Sequence, residues 1–295
     1  MGPPVRLAPA GVLPKVSRAV TPPPVRLIKA HAYGNDFLLV ERDELAGVPD
    51  MAVLARRVCD RHRGIGADGL LVVRAGEAGA DMRLWNADGS RSELSGNGAR
   101  CVGAWLAAER GLDPGAEIVV GTDAGPKRLQ VLERLGSRWV FRAAMGQPED
   151  VRQVRLEVDG VAVAAVVLRV GNPQCVVLGP ATEERLATLA SRLAVHPAFP
   201  EGTNVELAEV ESADRVRILI WERGVGPTES SGTGTCAAAV AAAAFGGAAR
   251  SLDVVAPGGV QRVEWTNEGL WLTGWAELTA RVEWLTANST IEPGA

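Results

Sequence analysis

The stretch S-G-N-G-A-R-C, from Ser95 to Cys101, is matched later in the chain by S-G-T-G-T-C, from Ser231 to Cys236. Each is a Ser-Gly-polar-Gly turn that precedes an alanine-rich segment, which is typical of a turn that opens a helix. The two serines lie 136 residues apart, at positions 95 and 231 of 295. Because this spacing is close to half of the chain, it predicts a duplicated α/β domain with one loop in each copy. The alternative is that a common kind of helix start occurs twice by chance.

Strand-like and helix-like segments follow one another in the same order around both loops. Before the first loop we predict a strand from Val25 to a turn at 34–36, strands at 37–40, 69–73 and 82–85, and a helix at 51–62. After the loop we predict a helix at 97–110 that stops at Gly111. Around the second loop we predict strands at 161–170, 174–178 and 215–221 and helices at 183–194, with Thr182 as N-cap, and 235–245. Further strands separated by glycine turns are predicted to end the chain.

Composition narrows the class of protein. The chain has 295 residues, 47% of them apolar and 22% charged, which is an ordinary globular balance. The net charge of −4 argues against nucleic acid or an anionic membrane as the main partner. The four cysteines, Cys59, Cys101, Cys175 and Cys236, have no metal-ligand spacing, and no metal site is expected. Without a secretory signal, reduced cysteines in a cytoplasmic protein are the natural interpretation.

The sequence divides into four regions. A proline-rich tail at 1–24, expected to be disordered, precedes an N-terminal domain at 25–145 and a C-terminal domain at 146–282. An organellar transit peptide is the alternative for the first region, since it lacks acidic residues. A C-terminal tail at 283–295 completes the chain, and its return to the first domain is one option.

The two loops have the chemistry of an anion site. A glycine-rich turn at a helix N-terminus exposes backbone N–H groups and the positive end of the helix dipole. Neither loop fits a phosphate-binding P-loop or a dinucleotide motif, because the lysine and the glycine spacing are absent. Two converging loops of this kind would suit a small substrate with a carboxylate. Ser95 and Ser231 would then face it from opposite sides.

Other polar residues stand at strand ends or in turns, where sites usually lie. They are Asn35, Asn86, Asn172, Asn204 and the pair Glu222-Arg223. For the asparagines the alternative is a plain turn-forming role, and for Glu222-Arg223 it is a surface ion pair.

Several ordered motifs resemble one family, the diaminopimelate epimerases. They are H-A-Y-G-N-D-F (31–37), R-G-I-G-A-D-G-L (63–70), N-A-D-G-S (86–90), S-G-N-G-A-R-C (95–101), G-N-P (171–173), H-P-x-F-P-x-G-T-N-V (196–205), W-E-R-G-V-G (221–226) and S-G-T-G-T-C-A-A-A-V (231–240). The similarity spans roughly residues 26–283.

The resemblance implies a fold and an activity. The fold is α/β (α+β), with two pseudo-symmetric domains, each a curled and mostly antiparallel sheet around a central helix, and the substrate between them. The activity is interconversion of LL- and meso-diaminopimelate in lysine biosynthesis by a homodimer, without pyridoxal phosphate, metal or other cofactor. The implied substrate contacts are Asn35, Asn86, Gly96, Asn97, Asn172, Asn204, Glu222, Arg223, Gly232 and Thr233.

The sequence differs from the family pattern at the positions that transfer protons. Ser95 and Ser231 stand where the family has its two proton-transferring cysteines, and Gln174 stands where it usually has a histidine. A helix N-terminus can bring the pKa of a cysteine into the neutral range, whereas a serine hydroxyl starts as a far weaker acid. An unassisted serine pair is therefore predicted to be a poor pair of catalytic groups.

Three interpretations stay open at this point. The first is an epimerase whose serines are assisted by Glu222 or by a bound water. The second is another isomerase or a dehydratase of the same fold, acting on a related amino or hydroxy acid. The third is a binding protein without catalysis, or a protein in which both cysteines were deliberately replaced.

Overall fold

The computed structural model describes residues 24–92 and 95–285 of the chain. The first half contains β1 (Val25–Ala32), β2 (Asn35–Glu41), a 3-10 turn (Arg42–Leu45), α1 (Met51–Cys59), β3 (Gly69–Gly76), β4 (Gly79–Asn86), β5 (Arg91–Ser92), α2 (Gly96–Arg110), β6 (Glu117–Gly121), β7 (Lys127–Leu135) and β8 (Arg138–Gly146). The second half contains β9 (Glu149–Val158), β10 (Val161–Val170), β11 (Asn172–Leu178), α3 (Glu183–Arg185), a π-helical turn (Leu186–Ala190), α4 (Ser191–Leu193), β12 (Asn204–Ser212), β13 (Arg215–Glu222), β14 (Gly226–Thr228), α5 (Gly232–Phe245), β15 (Ser251–Ala256), β16 (Gly259–Thr266) and β17 (Gly269–Trp284).

The two halves share one topology. In the first half, β2 pairs in parallel with β3 across α1, and β4 pairs in parallel with β6 across α2. In the second half, β11 pairs in parallel with β12 across α3 and α4, and β13 pairs in parallel with β15 across α5. The other strand pairings in the described part of the chain are antiparallel, as in β3–β4 and β12–β13. The predicted fold class, two similar halves of mostly antiparallel sheet, is confirmed.

Each half is built around one buried helix. α2 is buried at every position from Asn97 to Ala107, and α5 is buried from Gly234 to Ala242. A helix surrounded by strands needs small side chains, because the close packing of a protein interior leaves no spare volume. At Gly103 of α2, for example, an added Cβ would lie 2.7 Å from Leu129 Cδ1. The alanine-rich composition of both helices follows from this position at the centre of a curled sheet.

Shorter helices cover the outside of each sheet. α1 packs Leu54, Ala55 and Val58 on strands of the first half. In the second half, the segment of α3, the π turn and α4 packs Leu186 and Leu193 on the sheet. The helix predicted at 183–194 therefore exists, but a π-helical turn interrupts it. The side chain of Thr182 caps it as predicted, accepting a hydrogen bond from Arg185 N.

The last strand, β17, joins the halves. It pairs with β16, then with β8 from Leu270 to Glu277, and its end pairs with β1 as far as Trp284. Tyr33 fastens this junction, since its hydroxyl donates to Val260 O (3.1 Å) and accepts from Trp275 N (3.2 Å). Residues 1–23 and 286–295, which hold most of the two predicted tails, lie outside the described residues. Among the described residues, no helix has both the length and the apolar character needed to cross a bilayer.

Candidate functional site

The first loop caps the central helix of the first half. Ser95 is the N-cap of α2, with extended backbone, and its Oγ accepts a hydrogen bond from Gly98 N at 2.9 Å. An added Cβ on Gly96 would meet no atom within 4 Å, so this face of the loop is open. The N–H groups of Gly96 and Asn97 are donors that a helix cannot satisfy internally. They are therefore available to an anion.

The second loop repeats this geometry. Ser231 is the N-cap of α5, with the same extended backbone, and its Oγ accepts from Gly234 N at 3.1 Å. The Thr233 hydroxyl lies 3.4 Å from the Ser231 hydroxyl. Gly232 and Thr233 occupy the positions that correspond to Gly96 and Asn97. Each half thus offers one serine and two backbone donors.

The two loops lie side by side. The Asn97 side chain donates from Nδ2 to the carbonyl of Ser230 (3.4 Å), the residue before Ser231, and to Asn35 Oδ1 (3.2 Å). Its Oδ1 accepts a hydrogen bond from the Arg100 guanidinium, one turn further along α2. Arg100 is fully buried beside the Tyr33 ring, and burial lowers its pKa. One asparagine amide therefore links both serine loops to the first strand pair.

A carboxylate network supports the first-half side of the site. Asn35 donates from Nδ2 to Asp68 Oδ2 (2.7 Å), and Asp36 N donates to the same oxygen (3.0 Å). Arg61 bridges Asp36 and Asp68. Burial raises the pKa of Asp36, but hydrogen bonds from Arg61 and Lys29 outweigh it, so the pKa lies below its usual value. Asp36 is therefore ionised at neutral pH, and the hydrogen bond to Asp68 holds Asn35 in one orientation.

The remaining asparagines make local contacts. Asn86 donates to Ser90 Oγ (3.0 Å) within the turn after β4. Asn172 accepts from Gln174 Nε2 (2.6 Å) at the start of β11. Each of these two therefore has the turn or strand-end role that asparagine often has, with part of its amide left for other partners.

Asn204 and Arg223 meet at the edge of the second half. Asn204 Oδ1 accepts from Arg223 N at 2.9 Å. The exposed Arg223 side chain donates to the carbonyl of Glu201 (2.9 Å), and in the described part of the chain it forms no ion pair with Glu222. The surface ion pair considered for Glu222-Arg223 is therefore absent, and the guanidinium keeps donors for a ligand.

Three carboxyls from the two halves influence one another. Burial raises the pKa of Glu222, and the negative charge of Asp68, from the other half, raises it further. Burial raises the pKa of Glu206, in β12, to about 8, and the charge of Glu222 contributes to this rise. The second-half side of the site can therefore hold a proton at neutral pH, unlike the network of Asp36.

The cysteines are structural. Cys59, Cys101, Cys175 and Cys236 are free and buried, and burial raises the pKa of each to about 12. None can form a thiolate near neutral pH, so Cys101 and Cys236 do not take the place of a catalytic thiol.

Two surface cavities, of about 310 and 240 Å³, lie around Trp105 and Arg281, and none of the predicted site residues lines them.

Sequence patterns alone missed Asp68, Arg100 and Glu206. Asp68 lies within the motif at 63–70, and its position opposite the start of β2 could have been found from the parallel strand pair. Glu206 stands inside the apolar run of β12, and a single carboxyl in a buried strand is a recognisable signal. Arg100 lies in the first turns of α2 and has no acidic partner among the described residues. The sequence does not indicate this.

The chain is similar to proteins of one known family. A family model described as "Diaminopimelate epimerase" matches residues 27–151 and 166–279. The diaminopimelate epimerase of Desulforudis audaxviator is 39% identical over 277 residues, which cover 88% of this chain and 99% of that protein. The protein of Oryza sativa named as chloroplastic is 33% identical over 282 residues, covering 86% and 78%.

Solved structures share the fold at low identity. A predicted epimerase from Pseudomonas aeruginosa has a TM-score of 0.68 at 16% identity, covering 89% of this chain and 99% of that one. A hydroxyproline epimerase from Agrobacterium vitis has a TM-score of 0.63 at 15% identity, with 89% and 91% covered. A methylitaconate-delta-isomerase has a TM-score of 0.61 at 11% identity, with 92% and 99% covered. Proteins with this fold are named for different reactions, so the fold alone does not identify the reaction of this chain. That inference depends on the residues of the site.

Proposed function

The chain belongs to the diaminopimelate epimerase family of isomerases, and on this basis we propose that it interconverts LL- and meso-diaminopimelate without a cofactor. Ser95 and Ser231 would lie on the two faces of the substrate α-carbon. The observation that carries this proposal is the contact of Asn97 Nδ2 with Ser230 O, which brings the two helix N-termini together. The substrate proposed is that of the diaminopimelate epimerases to which the chain is similar.

The α-carboxylate of the substrate would bind between the loops. Backbone N–H groups of Gly96, Asn97, Gly232 and Thr233 would donate to this carboxylate, and the dipoles of α2 and α5 favour negative charge at their N-termini. Removal of the α-proton places charge on the carboxylate, so these donors stabilise the intermediate more than the ground state. The serines at the N-caps would then stand next to the carbon that loses the proton.

The two serines are the weak point of the reaction. A hydroxyl is a poor base at neutral pH, because efficient proton transfer needs a group with a pKa near that pH. Assistance by Glu222 is supported by its raised pKa and by its position at the end of β13, before the Ser231 loop. We therefore expect slow epimerisation. Gln174, in place of the usual histidine, would serve by orienting Asn172.

Asparagine and arginine side chains would recognise the rest of the substrate. Asn35, Asn86, Asn172 and Asn204 stand at strand ends on both halves, and each can donate from its amide. Arg223 suits a second carboxylate, because a guanidinium can hold one with two parallel hydrogen bonds. Diaminopimelate has such a group at its far end. A homodimeric state and a cytoplasmic location stay predictions that follow from the family.

The same set of backbone, asparagine and arginine donors would also bind a related amino or hydroxy acid. This second candidate is favoured by the serine pair, which suits an easier proton transfer than one from an amino acid α-carbon. The likeness to an isomerase of another substrate class is a likeness of fold alone.

Calorimetry with diaminopimelate tests the substrate. The protein should bind it, and Arg223→Ala should weaken binding about tenfold or more, because a charged hydrogen bond contributes roughly 1.5–3 kcal/mol. Arg215→Ala is a matched control, since Arg215 is an exposed arginine at the far end of the same strand, paired with Glu211. It should leave affinity unchanged. Absence of binding by the wild type would remove diaminopimelate from the proposal, and equal binding by Arg223→Ala and Arg215→Ala would remove Arg223 from the site.

A further inference from the structure

Glu206 is a buried carboxyl that no hydrogen bond satisfies. The residue is fully buried near the start of β12, between Val176 of β11 and Ile220 of β13. Neither carboxyl oxygen has a hydrogen-bond partner among the described residues. An ionised carboxylate in such a place would cost several kcal/mol, so the group either holds a proton or serves a nearby partner.

The carboxyl is aimed at the first turn of α5. Glu206 Oε1 lies 2.5 Å from the point that a Cβ on Gly234 would occupy, and Ser231 Oγ lies 3.2 Å from the same point. Glycine at position 234 is therefore what lets the carboxyl approach the loop. A small rotation or a single water would connect it with the Ser231 hydroxyl.

The first half has an apolar residue in the equivalent place. Leu71 pairs with Leu39 of β2 as Glu206 pairs with Val176 of β11. A Cβ on Gly98 would lie 3.3 Å from Leu71 Cδ2, just as one on Gly234 would meet Glu206. Ser95 thus lies above a leucine and Ser231 above a carboxyl.

We propose that Glu206 is a positioning residue that acts through Ser231, holding the proton that the Ser231 hydroxyl exchanges with the substrate. This inference rests on the proposed function and adds to it a difference between the two faces of the substrate. Among the described residues, Ser231 has a buried proton acceptor beneath it, whereas the side chain in the equivalent place beneath Ser95 is Leu71.

The step balances without another reactant. When Glu206 is ionised, its carboxylate takes the Ser231 hydroxyl proton while Ser231 Oγ takes the α-proton, so the O–H bond of Ser231 is renewed and the C–H electron pair stays on the substrate. In reverse, protonated Glu206 returns its proton to Ser231 as the hydroxyl protonates the α-carbon. Total charge is unchanged, because one negative charge moves from Glu206 to the substrate and back.

The surroundings of Glu206 suit a group that changes its protonation state. Burial and the charge of Glu222 raise its pKa to about 8. The groups known to face it are Glu222 from β13, Cys175 from β11 and the loop of Ser231 from α5. Since burial raises the pKa of Cys175 to about 12, that thiol stays neutral near neutral pH, and among the described residues the charge of Glu222 raises the pKa of Glu206.

Hydrogen exchange at the α-carbon in D₂O tests the relay in the complete protein. One of the two isomers should lose its α-proton through Ser231, and it is identified as the isomer whose exchange Ser231→Ala abolishes. For that isomer, Glu206→Gln should slow exchange by about a hundredfold with KM unchanged, as for loss of a general base. It should also remove the rise in rate as pH increases through the pKa of Glu206. Glu211→Gln, on the exposed end of β12, is the control and should match the wild type.

Infrared spectroscopy gives a readout that does not need turnover. The wild type should show the C=O band of a buried protonated carboxyl that disappears as pH is raised, and this band should be missing from Glu206→Gln. Exchange at the wild-type rate and pH profile in Glu206→Gln, or lack of the band in the wild type, would overturn the relay. A wild type that binds diaminopimelate but exchanges neither α-proton would overturn both the relay and the proposed epimerisation, whereas α-proton exchange that Glu206→Gln leaves unchanged would overturn the relay alone. A wild type that does not bind diaminopimelate would overturn the proposed function as well, and with it the relay for this substrate.

Discussion

The loops at Ser95 and Ser231 have the same backbone and different surroundings. Both serines cap a central helix in the same conformation and accept a hydrogen bond from the glycine three residues later. Beneath the first loop lie Leu71 and the buried cation of Arg100, and beneath the second lies the carboxyl of Glu206. The two halves thus place the two hydroxyls in the same way, whereas the side chains packed beneath them differ.

The largest effect on epimerisation is expected when both serine hydroxyls are replaced by the more acidic thiols of cysteine. The double change Ser95→Cys with Ser231→Cys should raise diaminopimelate epimerisation by orders of magnitude, because a thiol at a helix N-terminus ionises near neutral pH and a hydroxyl does not. Either single change should do much less, since a two-base route needs both faces. Racemisation assays on the three variants measure this. A double variant that binds substrate and stays inactive would mean that the site serves other chemistry.

Glu206 should make the stability of the second half depend on pH. Its pKa in the folded protein, about 8, lies above the usual carboxyl value, so its stabilising contribution is complete at acid pH and is lost as pH rises toward 8. Relative to Glu206→Gln, the wild type should lose up to roughly 5 kcal/mol between about pH 4.5 and 8. Urea unfolding of both proteins at several pH values tests this. A difference that does not vary with pH would show that Glu206 is not held protonated.

The two glycines beneath the loops should respond differently to alanine. Gly234→Ala places a Cβ 2.5 Å from Glu206 Oε1, and this should cost roughly 1–3 kcal/mol of unfolding free energy. Gly98→Ala meets Leu71 and the Ser95 side chain no closer than 3.2 Å, so its cost should stay below about 1 kcal/mol. Thermal unfolding compares them. Adding Glu206→Ala to Gly234→Ala should relieve part of the cost, and an equal cost at both glycines would contradict the close approach.

Much of this comparison could be predicted from the sequence. The repeated Ser-Gly-polar-Gly motif predicted two capped helices in similar halves, because the N-cap of a helix is a local property of the chain. Glu206 could not be placed beneath Ser231, since that contact depends on the parallel pairing of β11 with β12. The strands from β6 to β9 were not assigned individually, and the π turn at Leu186–Ala190 breaks a helix whose apolar spacing gave no sign of it.

The amide that links the loops should make a smaller contribution to stability. Asn97→Ala removes the contacts with Ser230 and Asn35 and leaves the buried Arg100 without its acceptor, which should cost about 1–3 kcal/mol. Asn86→Ala is the comparison, because Asn86 bonds within an exposed turn and should cost less than about 1 kcal/mol. Chemical denaturation measures both. Equal small losses would mean that the Asn97 bridge does not hold the halves together.

The pairing of Ser95 with Ser231 is tested most directly by isotope uptake at the α-carbon of diaminopimelate in D₂O. Ser95→Ala and Ser231→Ala should each abolish epimerisation. Each variant should still exchange the α-proton of one of the two isomers. The exchange that remains in Ser95→Ala, which keeps Ser231, should be faster than the exchange that remains in Ser231→Ala. Epimerisation that persists in both alanine variants would contradict the account, because another residue would then be the working base.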